Sequence, residues 1–207
     1  MFQEDVQLMG NLKDGMLVGY HAKFLEKDRN DVFKLFESSI VYNSDEDSKI
    51  KIFGKEHVIP RKQVAFGDKG ITYSFSGNTV NALDWNTDNE LCKTIRFIRD
   101  KVAKRFNFNP NFVLVNRYEN GNQYIGYHSD DEKDLIQDAP IVGVSFGAER
   151  EILFKNKATG KVKSLLLKHG SAFCMYCPTN ANYMHSIPAR KGVGGPRISL
   201  TFREMKK

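Results

Sequence analysis

Between Asn111 and Arg203 the chain is a succession of short apolar runs of strand length: NFVLVNRY, QYIGYHSD, PIVGVSFG, EILFKN, SLLLKHG, SAFCMYCP and PRISLTFR. Turn-forming NG, ATG, HG and GVGGP segments separate them. Seven or more short strands following helical segments predict a mainly β fold of α+β type, a sandwich or barrel with helices buttressing one side. No composition break marks a domain boundary, and 207 residues suit one domain.

Two helices are expected before the strands. Asp28 or Asn30 caps a short one whose apolar side holds Val32, Leu35 and Phe36. The spacing predicts a longer helix over Thr87 to Phe106, with Leu91, Ile95, Ile98 and Val102 on one face and Thr87 and Glu90 as a capping box. Its other face is Lys93, Arg96, Arg99, Lys101 and Lys104.

Charge is uneven. Residues 150 to 207 carry 12 basic and 2 acidic side chains, whereas residues 1 to 48 carry 5 and 10. A basic C-terminal part fits either a polyanion partner or an ordinary solvated surface. The three cysteines, Cys92, Cys174 and Cys177, form an odd set that suits a reducing compartment, and the apolar AFCMYC setting of the CxxC reads as core. MFQEDVQ is acidic where a signal peptide is basic, and no apolar run nears the roughly 20 residues of a bilayer span. The expectation is a soluble intracellular protein with no membrane association, in the nucleus of a eukaryote or the cytoplasm otherwise.

Chemistry concentrates in a few residues. His128 and Asp130 are two apart, so on a strand they project the same way, and His185 follows from afar. Two histidines and one carboxylate are the three-ligand face that suits non-haem Fe(II). The alternative is a pair of unrelated histidines. In the last strand Arg197, Ser199, Thr201 and Arg203 alternate with Ile198, Leu200 and Phe202. Two guanidinium groups on one face need anions if buried, a dicarboxylate and Asp130, or else the face lies in water. The polar tips of Asn116 and Tyr118 share a face by the same parity.

Taken together, NRY at 116 to 118, HxD at His128 and Asp130, the distal His185 and Arg197 with Arg203 resemble the AlkB family of Fe(II) and 2-oxoglutarate dependent nucleic-acid dioxygenases. PRKQ, YSFSG, HSDDE, PIVGVSFGA and PRISLTFR bring the likeness toward the AlkB homologue two group. The resemblance runs from about residue 50 to residue 203. It implies a double-stranded β-helix (jelly-roll) core over about residues 107 to 205, a nucleotide-recognition hairpin region over about 49 to 86, and a less defined N-terminal part over 1 to 48.

It further implies Fe(II) on His128, Asp130 and His185, with O2 as co-reactant. Asn116, Tyr118, Arg197, Thr201 and Arg203 would hold 2-oxoglutarate, Arg197 at the far carboxylate and Arg203 nearer the metal and Asp130. The implied activity is hydroxylation of N-methyl groups on N1-methyladenine and N3-methylcytosine in DNA, duplex preferred, with release of formaldehyde and succinate by a monomer.

In the base pocket, Phe75 resembles the stacking residue, while Tyr73, Ser76, Asp131 and Glu132 resemble the polar lining. Phe53 in KIKIFGKEH resembles a wedge at a hairpin tip, the alternative being a core residue. Arg61, Lys55, His57 and the lysines from Lys155 to Lys168 would meet phosphates. One departure is that the linker between EILFKN and SLLLKHG is shorter than its family counterpart. Single-stranded DNA, an RNA substrate, or a binding module without turnover are the remaining alternatives; a wedge argues against unpaired RNA, which leaves no gap to fill.

Overall fold

The computed structural model describes residues 6 to 206 apart from Asp45, Asp47, Phe53, Gly54, Ser76 and Gly77, and the backbone alone at residues 50 to 52, 55, 75 and 78. In chain order the strands before the long helix are β1 (Gln7–Met9), β2 (Val18–His21), β3 (Lys49–Ile52), β4 (Lys55–Val58), β5 (Lys62–Gly67), β6 (Thr72–Phe75), β7 (Asn78–Asn81) and β8 (Leu83–Asp84), with α1 (Arg29–Ser39) between β2 and β3. After α2 (Glu90–Phe106) come β9 (Phe112–Tyr118), β10 (Ile125–His128), β11 (Ile141–Gly147), β12 (Arg150–Asn156), β13 (Val162–Leu167), β14 (Ser171–Met175), α3 (Cys177–Asn182), β15 (Tyr183–Ile187) and β16 (Arg197–Arg203).

Eight strands form the major sheet in the order β1-β2-β14-β11-β16-β9-β5-β8, and four form the minor sheet in the order β10-β15-β12-β13. Strand alternation sends side chains to two faces. On the major sheet's outer face Val113, Val115, Val144, Phe146, Ile198, Leu200 and Phe202 pack against Val32 and Phe36 of α1 and Ile95, Ile98 and Val102 of α2. On its inner face Tyr118, Ile141, Phe173 and Met175 meet Ile152, Phe154, Tyr183 and Ile187 of the minor sheet. The two sheets with helices on one side are the arrangement that the strand pattern predicts, and they form the jelly roll that the family resemblance implies. Gly143 makes the interior close: a Cβ there would lie 2.1 Å from the Phe173 ring, so only glycine lets that ring cross the sheet.

Three details differ from the sequence reading. The α2 cap is Asn89, whose Oδ1 accepts from Cys92 N at 2.8 Å, while Thr87 Oγ1 turns back to donate to Asp84 O at 2.8 Å. Asn89 wins because it stands immediately before the first helical residue in an extended conformation. The N-terminal part is not featureless: β2 pairs with β14, Tyr20 opposite Phe173, and extends the major sheet. Its residues are covered on both faces, which erases the alternation that would reveal a strand. The third is β15, read from sequence only as the neighbourhood of His185. All three cysteines are free; Cys174 is buried in β14, in keeping with the core reading of the CxxC, whereas Cys177 is only half-buried.

Ahead of the core lie two small antiparallel ribbons, β3 with β4 and β6 with β7. In the first, Ile52 pairs with Lys55; Phe53 and Gly54, between them in sequence, lie outside the described residues. No helix among the described residues is long and apolar enough to cross a membrane.

Candidate active site

The space between the two sheets opens as a cavity of about 1190 Å³. His128 at the end of β10 and His185 in β15 are partners across an antiparallel pair, which brings residues far apart in sequence to a ring-centroid separation of 4.2 Å. Asp130 follows just beyond β10. The ligand atoms of His128, Asp130 and His185 all lie within 4.8 Å of one another. His128 Nδ1 lies 2.9 Å from Gly126 O; with the proton on Nδ1, Nε2 is left bare, 3.6 Å from Asp130 Oδ1. Two imidazoles and one carboxylate, gathered with room in front of them, make a donor set suited to Fe(II) with open positions.

Electrostatics keep these donors in ligand form. Burial alone raises the Asp130 carboxyl, but Arg203, His185 and His128 outweigh it and hold it well below the usual carboxylate range. Arg203 Nη2 donates to Asp130 Oδ2 at 3.0 Å. His185 is pushed down to about 3, chiefly by burial and then by His128. His185 is thus neutral beside an ionised carboxylate, the state a cation requires.

The parity of β16 is as expected: Arg197, Ser199, Thr201 and Arg203 line the cavity, and the intervening residues belong to the helix-facing core. Arg197 sits opposite Tyr118 and Ser199 opposite Asn116 across the β16–β9 pair. Arg197 is 2% exposed, with Nη2 donating to Ser145 Oγ at 2.9 Å and its guanidinium 5.4 Å from the Tyr118 ring centroid. Burial pushes it down to about 10. Among the described residues Arg197 Nε and Nη1 and Arg203 Nε and Nη1 are buried with no hydrogen-bond partner. Buried guanidinium groups with unsatisfied donors call for an anion, and a dicarboxylate fits them.

Of the expected base-pocket residues, Tyr73, Asp131 and Glu132 line the same cavity. Tyr73 donates its hydroxyl to Glu132 Oε1, and Glu132 Oε2 is buried without a partner among the described residues. Burial raises the Glu132 carboxyl. The backbone of Phe75 ends β6, while Phe53 and Ser76 lie outside the described residues. Arg61 turns inward rather than toward solvent: its Nε donates to Asn116 Oδ1 at 2.9 Å, beside Gln63 Nε2 at 2.8 Å. With Oδ1 occupied twice, the Asn116 amide is oriented and its NH2 has no partner among the described residues.

Several residues of the site carry no signal in the sequence. Asn180 of α3 grips the main chain of Asp130 from both sides, Oδ1 accepting from Asp130 N at 3.1 Å and Nδ2 donating to Asp130 O at 2.5 Å. Arg150, 2% exposed, donates to the carbonyls of Asn120, Gln123 and Pro188 and ties together the loops behind Tyr118. Ser145 and Gln63 orient Arg197 and Asn116. Each acts through a contact between distant segments, so no local pattern marks it.

The family model "2OG-Fe(II) oxygenase superfamily" matches residues 28–203. Proteins named DNA oxidative demethylase ALKBH2 from Mus musculus and Homo sapiens are each 38% identical over 93% of this chain, covering 81% and 74% of their own lengths. Human alkB homolog 3, an alpha-ketoglutarate-dependent dioxygenase, is 28% identical over 70% of this chain and 51% of its own. The solved structure of OsALKBH1 superposes with a TM-score of 0.57 over 96% of this chain and 99% of that one at 15% identity, a likeness of fold alone. Identity and coverage of this order show kinship: the chain belongs to the 2OG-Fe(II) oxygenase superfamily, in its AlkB branch, and is a dioxygenase whose cofactors are Fe(II), 2-oxoglutarate and O2.

Proposed function

We propose that this dioxygenase is a DNA oxidative demethylase that restores N1-methyladenine and N3-methylcytosine, preferring duplex DNA. The observation that carries the reading is one cavity joining the His128–Asp130–His185 cluster to a polar pocket of Tyr73, Asp131 and Glu132, in a chain akin to named DNA oxidative demethylases. Bound Fe(II), with 2-oxoglutarate and O2, supplies the hydroxylation of an N-methyl group, 2-oxoglutarate leaving as succinate and carbon dioxide and the hydroxymethyl group as formaldehyde.

The chain's own residues prepare that chemistry. His128, Asp130 and His185 would hold the metal, with Asn180 and Arg203 fixing the Asp130 backbone and carboxylate. Arg197, with Tyr118, Asn116 and Thr201 around it, would orient the cosubstrate, its far carboxylate on the unsatisfied guanidinium donors. A base methylated at N1 of adenine or N3 of cytosine is cationic and poorly paired, so it leaves the stack at low cost and is drawn to carboxylates and ring faces. Asp131 and Glu132 supply the carboxylates, Asp131 for the exocyclic amine. Phe75 and the His128 ring supply the walls, and Phe53 fills the gap left in a duplex.

Formaldehyde release from matched methylated duplex DNA, single-stranded DNA and RNA tests the reading. Release from DNA with duplex fastest is expected. Release from RNA alone would replace it with RNA demethylation, and no release from any would remove turnover altogether.

A further inference from the structure

Two tyrosines stand at the rim of the active-site cavity without a structural task. Tyr124 is 46% exposed and Tyr127 40%, in a fold whose other tyrosines near the cavity, Tyr73, Tyr118 and Tyr183, are nearly sealed. Both line the same cavity as the metal-binding cluster. Among the described residues neither hydroxyl has a hydrogen-bond partner, so neither ring is held for its polar tip. Tyr124 directly precedes β10, the edge strand of the minor sheet, and Tyr127 lies within it, next to His128. Between them, a Cβ on Gly126 would meet nothing within 4 Å, so space there is open. Lys155 Nζ sits 5.6 Å from the Tyr127 ring centroid and brings a cation to the same lip.

We propose that Tyr124, Tyr127 and Lys155 form a stacking platform for the unpaired bases beside the modified one, giving single-stranded DNA its own route into the active site. This rests on the demethylase reading above. An exposed aromatic ring next to a phosphate-seeking cation is how proteins hold single strands, since every base offers a ring face whatever its identity. Lys155 takes the backbone phosphate while the tyrosine faces take bases that no longer stack on their neighbours. In a duplex those neighbours are already stacked within the helix, so the platform adds little. Single strands thus rely on the tyrosine rings and duplexes do not.

The test compares kcat/KM for matched N3-methylcytosine oligonucleotides, single-stranded and duplex, in the wild type, Tyr124→Ala/Tyr127→Ala and Tyr124→Phe/Tyr127→Phe, with the KM for 2-oxoglutarate and Tm alongside. The alanine pair is expected to lose tenfold or more on the single strand and less than threefold on the duplex. The phenylalanine pair is expected to retain wild-type rates, because stacking needs the ring and not the hydroxyl. An unchanged single-strand rate in the alanine pair overturns the platform, as does an equal loss on both substrates or a raised 2-oxoglutarate KM. Failure of the demethylase reading is separate: the wild type then releases formaldehyde from neither oligonucleotide.

Discussion

Arg203 of β16 and Asp130 beyond β10 form a buried ion pair, Nη2 to Oδ2 at 3.0 Å, that assigns the two carboxylate oxygens different tasks. Oδ2 is committed to the guanidinium, and Oδ1 faces His128 Nε2 at 3.6 Å. The arginine helps to keep this buried carboxylate ionised.

Replacing Asp130 with Asn is expected to abolish formaldehyde release even with added iron, because a neutral amide keeps the shape and is a poor third ligand, and to lower Tm, because the buried Arg203 loses its countercharge. Asp130→Ala should also be inactive and lose roughly 3 to 5 kcal/mol of stability, since it strands the buried Arg203 charge. Turnover by either variant at the wild-type rate would remove Asp130 from the metal site.

Arg197→Met is expected to raise the KM for 2-oxoglutarate tenfold or more, a buried charged hydrogen bond contributing roughly 1.5 to 3 kcal/mol. The Kd for DNA should move little, because Arg197 lies at the inner end of the cavity beneath Tyr118. Steady-state kinetics with varied cosubstrate and a DNA titration check the two halves separately.

Metal-free protein should lose stability on mild acidification. The folded value of His185, about 3, lies below the roughly 6.5 of an unfolded-chain histidine. Between these values the unfolded state binds the additional proton, so stability is complete above about 6.5 and declines as pH falls toward 3. In EDTA-treated protein Tm is expected to be lower at pH 5 than at pH 7.5, and His185→Gln should flatten that dependence. An identical slope in the variant would place the titrating group elsewhere.

Phe53→Ala is expected to slow duplex repair by about tenfold to a hundredfold and single-strand repair only a few-fold, because an intercalated ring recovers roughly 1 to 3 kcal/mol from the bases left behind. Equal losses on both substrates with a lowered Tm would make Phe53 a core residue instead.

Much of this protein is written locally. The alternation of β16 announces which side chains face the cavity, because side-chain direction along a strand depends on nothing beyond neighbouring residues, whereas HxD names two ligands although Asp130 lies just past the end of β10. The helix face of Ile95, Ile98 and Val102 is legible for the same reason. Tertiary structure alone decided what meets across the chain. The β10–β15 register that sets His185 against His128, the Asn180 grip on Asp130 and the anchoring of loops by Arg150 join segments that no sequence period connects. Arg61 shows the limit clearly: the family resemblance implies a phosphate contact, yet its side chain turns inward to Asn116. A side chain's direction out of an irregular segment follows from the partners that packing brings to it, and those lie elsewhere in the sequence.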